Sequence, residues 1–220
     1  MHVHANVAVS ADGKLSHRER EQVRISGDED FARVDRLRGE SDAVLVGVGT
    51  VLADDPSLVR FDADHRERVG KSGVPARVVA DSRARTPPDA AILRGDAPTY
   101  VLVSEAAPDE RVEALESAGA TLVVAGEDRV DLRDAFAGLE TEGIADLMVE
   151  GGGELLFSLF EVGLVDRLSE FVGPLVIGGR DAPTPADGEG FVDPERFPRL
   201  ALDDVERLDE GVVLHWSVAP

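Results

Sequence analysis

Short apolar, β-branched runs alternate along the chain with segments whose apolar positions recur every three or four residues. Strands are predicted at residues 3–9, 43–48, 76–80, 99–103, 121–125, 146–149, 167–172 and 212–217, and helices at 29–39, 108–117, 132–141 and 154–162. Runs such as Val44-Leu45-Val46 and Val78-Val79-Ala80 are apolar without a break. Strands of that kind are buried on both faces, which argues for a largely parallel central sheet with helices on both faces. No convincing helix separates the last two strands, so an antiparallel C-terminal edge is expected. The longest loops are 60–75 and 178–198, and no repeat, low-complexity tract or linker interrupts the pattern. Residues 1–220 are therefore expected to form a single α/β domain.

Composition narrows the chemistry. The apolar share of 43 % is enough for a real core. No apolar run approaches the ~20 residues of a membrane span, and Met1-His2-Val3-His4-Ala5-Asn6 reads as a first strand and not as a signal peptide. A cytoplasmic protein without a membrane partner is expected. There is no cysteine, which removes disulfides, thiol nucleophiles and thiolate-bound zinc. His2 and His4 would share a strand face, and a strand facing partly to solvent accounts for them without a metal. Acids number 44 against 23 bases, a formal charge of −21, and only Lys14 and Lys71 are lysines. Such a charge repels itself in dilute buffer and is tolerated where salt screens it. The expectation is a halophilic protein, adapted to a salt-rich cytoplasm. Nucleic acid, which needs basic stripes, is not an expected partner.

Four constellations carry candidate chemistry, and three of them lie at predicted strand ends. Val149-Glu150-Gly151-Gly152-Gly153-Glu154 joins an apolar run to an amphipathic helix through three glycines, leaving backbone N–H groups bare for an anion. A carboxylate before such a turn is costly to bury unless it is paired or functional. Val46-Gly47-Val48-Gly49-Thr50, followed by Asp54-Asp55-Pro56, allows a close backbone approach, although it lacks the third glycine of a dinucleotide fingerprint. Asp81-Ser82-Arg83-Ala84-Arg85 places a hydroxyl and two arginines where a phosphate, such as the 2′-phosphate of NADPH, would suit them. Near the start, Asn6-Val7-Ala8-Val9-Ser10-Ala11-Asp12-Gly13-Lys14 runs from a strand into a tight turn, with Arg24-Ile25-Ser26-Gly27 after it. No Ser-His-Asp set, P-loop or zinc signature is present.

Together and in this order, these motifs resemble the reductase family of riboflavin biosynthesis, and the likeness spans nearly the whole chain. The resemblance implies a single-domain dihydrofolate-reductase-like fold. It also implies NADPH-dependent reduction of a ribosylaminopyrimidine phosphate to its ribitylamino product, with NADH as the alternative cofactor. Bacterial relatives often carry a fused zinc deaminase; this chain lacks the cysteines that such a domain needs. Carried over by position, the cofactor contacts fall on Arg24, Gly49, Thr50, Asp54, Asp81, Ser82, Arg83, Gly151, Gly152, Gly153 and Glu154. The substrate side falls on Asn6, Arg38, Leu58 and Glu150, and the candidate catalytic groups are Glu150, Asp12 and Lys14. No metal is implied, and a homodimer is. One departure is that Arg60 follows Leu58 after a single residue. Other readings stand beside this one: a dihydrofolate-reductase-like enzyme acting on a pterin, a reductase of another small carbonyl or imine, or a non-catalytic nucleotide-binding module.

Overall fold

Seven strands run parallel through the computed structural model, which describes residues 1–21 and 23–219. They are β1 (His2–Ser10), β2 (Ala43–Gly47), β3 (Ala76–Ala80), β4 (Thr99–Val103), β5 (Thr121–Val124), β6 (Asp146–Gly151) and β7 (Arg167–Gly173). Two more, β8 (Leu200–Leu208) and β9 (Gly211–Val218), extend the sheet antiparallel beyond β7. The order across the sheet is β5-β4-β3-β2-β6-β1-β7-β9-β8. This is the mostly parallel sheet with an antiparallel C-terminal edge that the apolar pattern predicts.

The helices are α1 (Asp28–Glu40), α2 (Val48–Asp54), α3 (Ala63–Arg68), α4 (Asp109–Ser117), α5 (Leu132–Thr141) and α6 (Gly153–Glu161). Side-chain alternation divides the core. Ala43, Leu45, Val78 and Leu102 pack with Phe136, Leu139, Leu156 and Leu159 of α5 and α6 on one face. Val46, Val79, Val101 and Val103 pack with Val51 of α2 and Leu115 of α4 on the other. Continuous apolar runs are thus buried twice, once on each face, as parallel strands require. Within β1, Val3, Ala5, Val7 and Val9 take the α5/α6 face, which turns His4, Asn6, Ala8 and Ser10 to the side of α1.

Three elements depart from the predicted pattern. β8 went unread because all but its last residue are exposed, so Leu-Ala-Leu-Asp-Asp-Val-Glu-Arg-Leu carries no buried stripe. The hairpin is therefore β8–β9, with β9 also pairing antiparallel with β7. Loop 60–75 contains α3, held by the buried Arg66, whose Nη1 donates to the carbonyls of Gly39 and Ser41 at 3.0 and 2.6 Å. The Gly-x-Gly-Thr turn is the start of α2 itself.

The β8–β9 turn also reaches back to α1. The Asp209 carboxylate accepts from the N–H groups of Glu29 and Asp30 at 3.2 and 3.0 Å, while Asp209 N–H donates to Glu29 Oε2 at 2.8 Å. It is a helix cap supplied from the far end of the chain, and it satisfies donors that α1 cannot. A Cβ on Gly27 would stand 2.3 Å from that carboxylate, which is why glycine precedes the helix.

Candidate active site

Outside the carboxyl ends of β2, β3 and β6 lies one cleft of about 1720 Å³, with α1 along its side. That is where open α/β sheets bind their ligands.

Backbone shapes one end of it. β6 finishes at Gly151, Gly152 takes φ +90°, and α6 begins at Gly153. A Cβ on Gly153 would lie 2.2 Å from the Thr184 carbonyl oxygen, so the loop after β7 rests directly on this turn. Asp187 secures it, accepting from Thr184 N–H and Oγ1 at 3.0 and 2.7 Å and donating its own N–H to the Gly153 carbonyl at 3.2 Å. At Gly49 a Cβ would meet nothing within 4 Å, so bare backbone of α2 faces open cleft. The first N–H groups of α6 have no intrahelical acceptor and favour an anion, against which the Glu154 carboxylate in the same turn works.

Side chains shape the other end. Register between β2 and β6 slips after Leu45: Leu45 pairs with Val149 and Val46 with Gly151. Glu150 is the bulged residue between them, and a bulge re-aims a side chain. Arg38 meets it fork to fork, with Nε to Oε1 at 2.5 Å and Nη2 to Oε2 at 2.6 Å. Arg38 Nη1 donates to the Arg60 carbonyl at 3.0 Å, and Asp35 takes Arg60 Nε at 2.7 Å. Burial opposes the Arg38 charge, but the hydrogen bonds and charge of Glu150, helped by Asp35, outweigh it and hold the guanidinium above its ordinary pKa.

The third wall is rich in arginine, set among the carboxylates of Asp128 and Asp131, with Arg83 3.6 Å from Asp128 and Arg85 3.8 Å from Asp81. Arg83 and Arg85 follow β3, and Arg129 and Arg133 lie between β5 and α5 or in its first turn. Ser82 Oγ accepts from Val130 N–H at 3.0 Å and ties the two segments together. Arg83 donates to the Ala106 carbonyl at 2.8 Å, and Arg133 to that of Val162.

Of the sequence-predicted site residues, Asn6, Arg24, Arg38, Gly49, Thr50, Asp54, Ser82, Arg83, Glu150, Gly151, Gly152, Gly153 and Glu154 line this cleft. Asp12, Lys14, Leu58 and Asp81 are not among the residues lining it, and each makes contacts elsewhere. Asp12 accepts from Ser10 Oγ at 2.6 Å and from the N–H groups of Ile177 and Gly178 at 3.0 and 2.7 Å. Those bonds, the Ser10 hydroxyl foremost, lower its pKa to about 2, leaving no proton to give near neutrality. Lys14 Nζ donates to the Ala182 carbonyl at 3.2 Å. Both motif residues brace the loop that lies on Gly153, while their neighbours Leu15 and Ser16 reach the cleft. Leu58, at φ +50°, packs against the core on the α2/α4 side. Asp81 is 1 % exposed and accepts from Thr86 N–H and Oγ1 at 2.7 and 2.8 Å.

The sequence reading missed Asp30, Phe31 and Asp35 on α1, and Arg129 and Arg133. The last two had a readable signal, because they follow a strand's carboxyl end as the other motifs do. His4 bonds Ser169 Oγ through Nε2 at 2.7 Å. Among the described residues no cluster of three His, Cys, Asp or Glu could hold a metal ion, and no helix is long and apolar enough to cross a membrane.

The family model described as RibD C-terminal domain matches residues 1–214. The chain is 48 % identical over 213 residues to a 2,5-diamino-6-ribosylamino-4(3H)-pyrimidinone 5′-phosphate reductase of Archaeoglobus fulgidus, covering 96 % of this chain and 94 % of that one. A protein of the same name from Methanothermobacter thermautotrophicus is 44 % identical over 213 residues, covering 97 % and 96 %. A solved pyrimidine reductase-like protein from Corynebacterium diphtheriae shares the fold, with a TM-score of 0.85 at 20 % identity over 100 % of this chain and 92 % of that one.

Proposed function

The chain belongs to the RibD C-terminal domain family, and on that footing we propose that it reduces the ribosylamino group of 2,5-diamino-6-(ribosylamino)-4(3H)-pyrimidinone 5′-phosphate to the ribitylamino product, with NADPH as reductant. The observation that carries this reading is the meeting of three walls in one cleft. Its volume, about 1720 Å³, exceeds the ~300–1,000 Å³ of a site for one small ligand. That leaves room for both a dinucleotide and a phosphorylated substrate.

The residues suit the cofactor. Gly49 offers bare backbone, and Thr50, Asp54 and the α6 N-terminus stand around it. Arg83, Arg85 and Arg129 supply the charge that a 2′-phosphate needs, which favours NADPH over NADH. When bound, the cofactor supplies the hydride. The chain's own work is positioning. Arg38 and Glu150 fix the substrate's sugar end against each other, and Arg60, bonded through Nε to Asp35, has its terminal nitrogens left for a phosphate. Partial burial shifts the Asp54 carboxyl upward from its ordinary pKa, and water is available to supply the proton.

Loss of reduced-nicotinamide absorbance in molar KCl tests the reaction. Turnover with the diaminopyrimidinone phosphate and not with dihydrofolate is expected. Turnover of dihydrofolate alone would move the enzyme to pterins, and cofactor binding without any turnover would make it a binding module.

We also propose a homodimer and salt dependence. β8 is the outer strand of the sheet and exposes Leu200, Leu202 and Val205, which suits pairing with a second copy. Light scattering should give twice the chain mass. The formal charge of −21 should make thermal stability rise between dilute buffer and molar KCl, and a flat profile would reject halophilic adaptation.

A further inference from the structure

Asn6, Asp30 and Arg33 form a buried group at the cleft floor, and of the three only Asn6 was expected on the substrate side. They are 6 %, 1 % and 6 % exposed, and Asn6 and Asp30 line the cleft. Arg33 Nη2 donates to Asn6 Oδ1 at 2.7 Å and lies 2.8 Å from Asp30 Oδ1; Arg33 Nε donates to that same oxygen at 2.8 Å.

A guanidinium has donors and no acceptor, so the Asn6 atom that faces it must be the oxygen. The amide nitrogen is therefore turned away from Arg33, carrying two N–H donors. Asp30 spends Oδ1 on Arg33 and keeps Oδ2 as an acceptor. One cation thus sorts two neighbouring side chains into a donor and an acceptor at the cleft floor. Stability does not explain the arrangement. Arg33 Nη1 is buried without a hydrogen-bond partner among the described residues, and both an unpaired buried donor and a buried ion pair are poor stabilisers.

Resting on the reaction proposed above, we infer that Asn6 and Asp30 read the lactam edge of the pyrimidinone ring. Asn6 Nδ2 donates to the ring carbonyl, Asp30 Oδ2 accepts from the adjacent ring N–H, and Arg33 positions both. The carboxamide of nicotinamide presents the same pair of groups, so the test must separate the two ligands.

The variants Asn6→Asp and Asp30→Asn each invert one group at nearly constant shape. Each is expected to raise KM for the pyrimidinone phosphate about tenfold or more, with the Kd of NADPH, followed by its fluorescence, within about twofold of wild type. The double variant restores the original charge and composition but presents the edge reversed, so its KM should stay high while its Tm returns toward wild type; a purely structural role would restore both. Unchanged KM in a folded single variant overturns the inference, and so does a rise confined to the Kd of NADPH. Should Asn6→Asp fail to fold, Asp30→Asn carries the same measurement. Calorimetry with a free aminopyrimidinone base reads the edge without turnover: binding to wild type that Asn6→Asp abolishes supports the inference, and equal binding overturns it. Failure of wild-type turnover would count against the reaction alone.

Discussion

The two ends of the cleft are built from different materials. At the β6–α6 turn the walls are backbone: three glycines, a positive φ at Gly152, and a returning loop in contact with the Cα of Gly153. Along α1 the walls are charged side chains held in pairs, Arg38 with Glu150 and Arg33 with Asp30 and Asn6. A backbone wall tolerates no added atom where it is already packed, as at Gly153, and carries little charge. An ion-pair wall carries recognition, and its fixed geometry depends on every partner staying charged and in place. The glycine end therefore suits a ligand recognised by shape and phosphate, and the α1 end one recognised by its polar groups.

The harshest way to break this contrast is to add one methyl group at two glycines. Gly153→Ala sets a Cβ 2.2 Å from the Thr184 carbonyl, a backbone atom that cannot rotate aside. Overpacking of this kind costs about 1–3 kcal/mol, a fall in Tm of about 2–12 °C for a chain of this size. Displacing the turn should also cut kcat/KM about 100-fold. Gly49→Ala adds the same methyl where nothing lies within 4 Å. Its Tm should hold or rise slightly, because alanine favours a helix, while KM for NADPH rises. Equal loss of Tm in both variants would remove the distinction between an occupied and an open glycine.

At the other end, Glu150→Gln keeps the shape and deletes the charge that fixes Arg38. Steady-state kinetics should show kcat/KM reduced more than about tenfold with the fold retained. Near-wild-type values would take Glu150 out of the site. A smaller change is expected on the arginine-rich wall, where Arg129→Ala should lower the preference for NADPH over NADH about tenfold or less and leave kcat/KM for NADH unchanged. A matching loss with both cofactors would assign Arg129 to folding and not to the 2′-phosphate.

The same contrast decides what could be read from the sequence. The backbone end was legible because its signal is local: Gly151, Gly152 and Gly153 stand together between a strand and a helix. The central strands β2, β3, β4 and β6 were legible because burial on both faces leaves apolar runs. At the α1 end Asn6, Arg38 and Glu150 were placed on the substrate side only through the family resemblance, and Asp30, Arg33 and Asp35 not at all, because its members are scattered. Asp209 caps Asp30 across 179 positions and Arg33 meets Asn6 across 27, spacings that no helical or strand period encodes. Asp12 and Lys14 show an intermediate case. Their motif marked them as special, yet only the contacts with Gly178 and Ala182 show that they brace a loop. β8 was invisible for the opposite reason, having almost nothing to bury.

The mildest test at neutral pH lies beneath the α1 end, on β1. Burial first, then the cations Arg33 and Arg167, with His2 and His215 adding to them, depress His4 from its ordinary 6.5 to about 4. Between those values the unfolded chain binds a proton that the folded protein refuses, so stability falls as pH drops from 6.5 toward 4 and loses nothing more below it. At pH 7 this one group costs only about 0.2 kcal/mol; its full effect is about 3 kcal/mol near pH 4. His4→Gln keeps a partner for Ser169 and removes the titration. Denaturant unfolding across this range should then show a shallower acid slope than wild type, by up to one proton, with the two curves meeting near neutrality. Parallel curves would mean that His4 accepts its proton within the fold, and that the polar floor beneath α1 is wetter and less rigid than the glycine turn opposite.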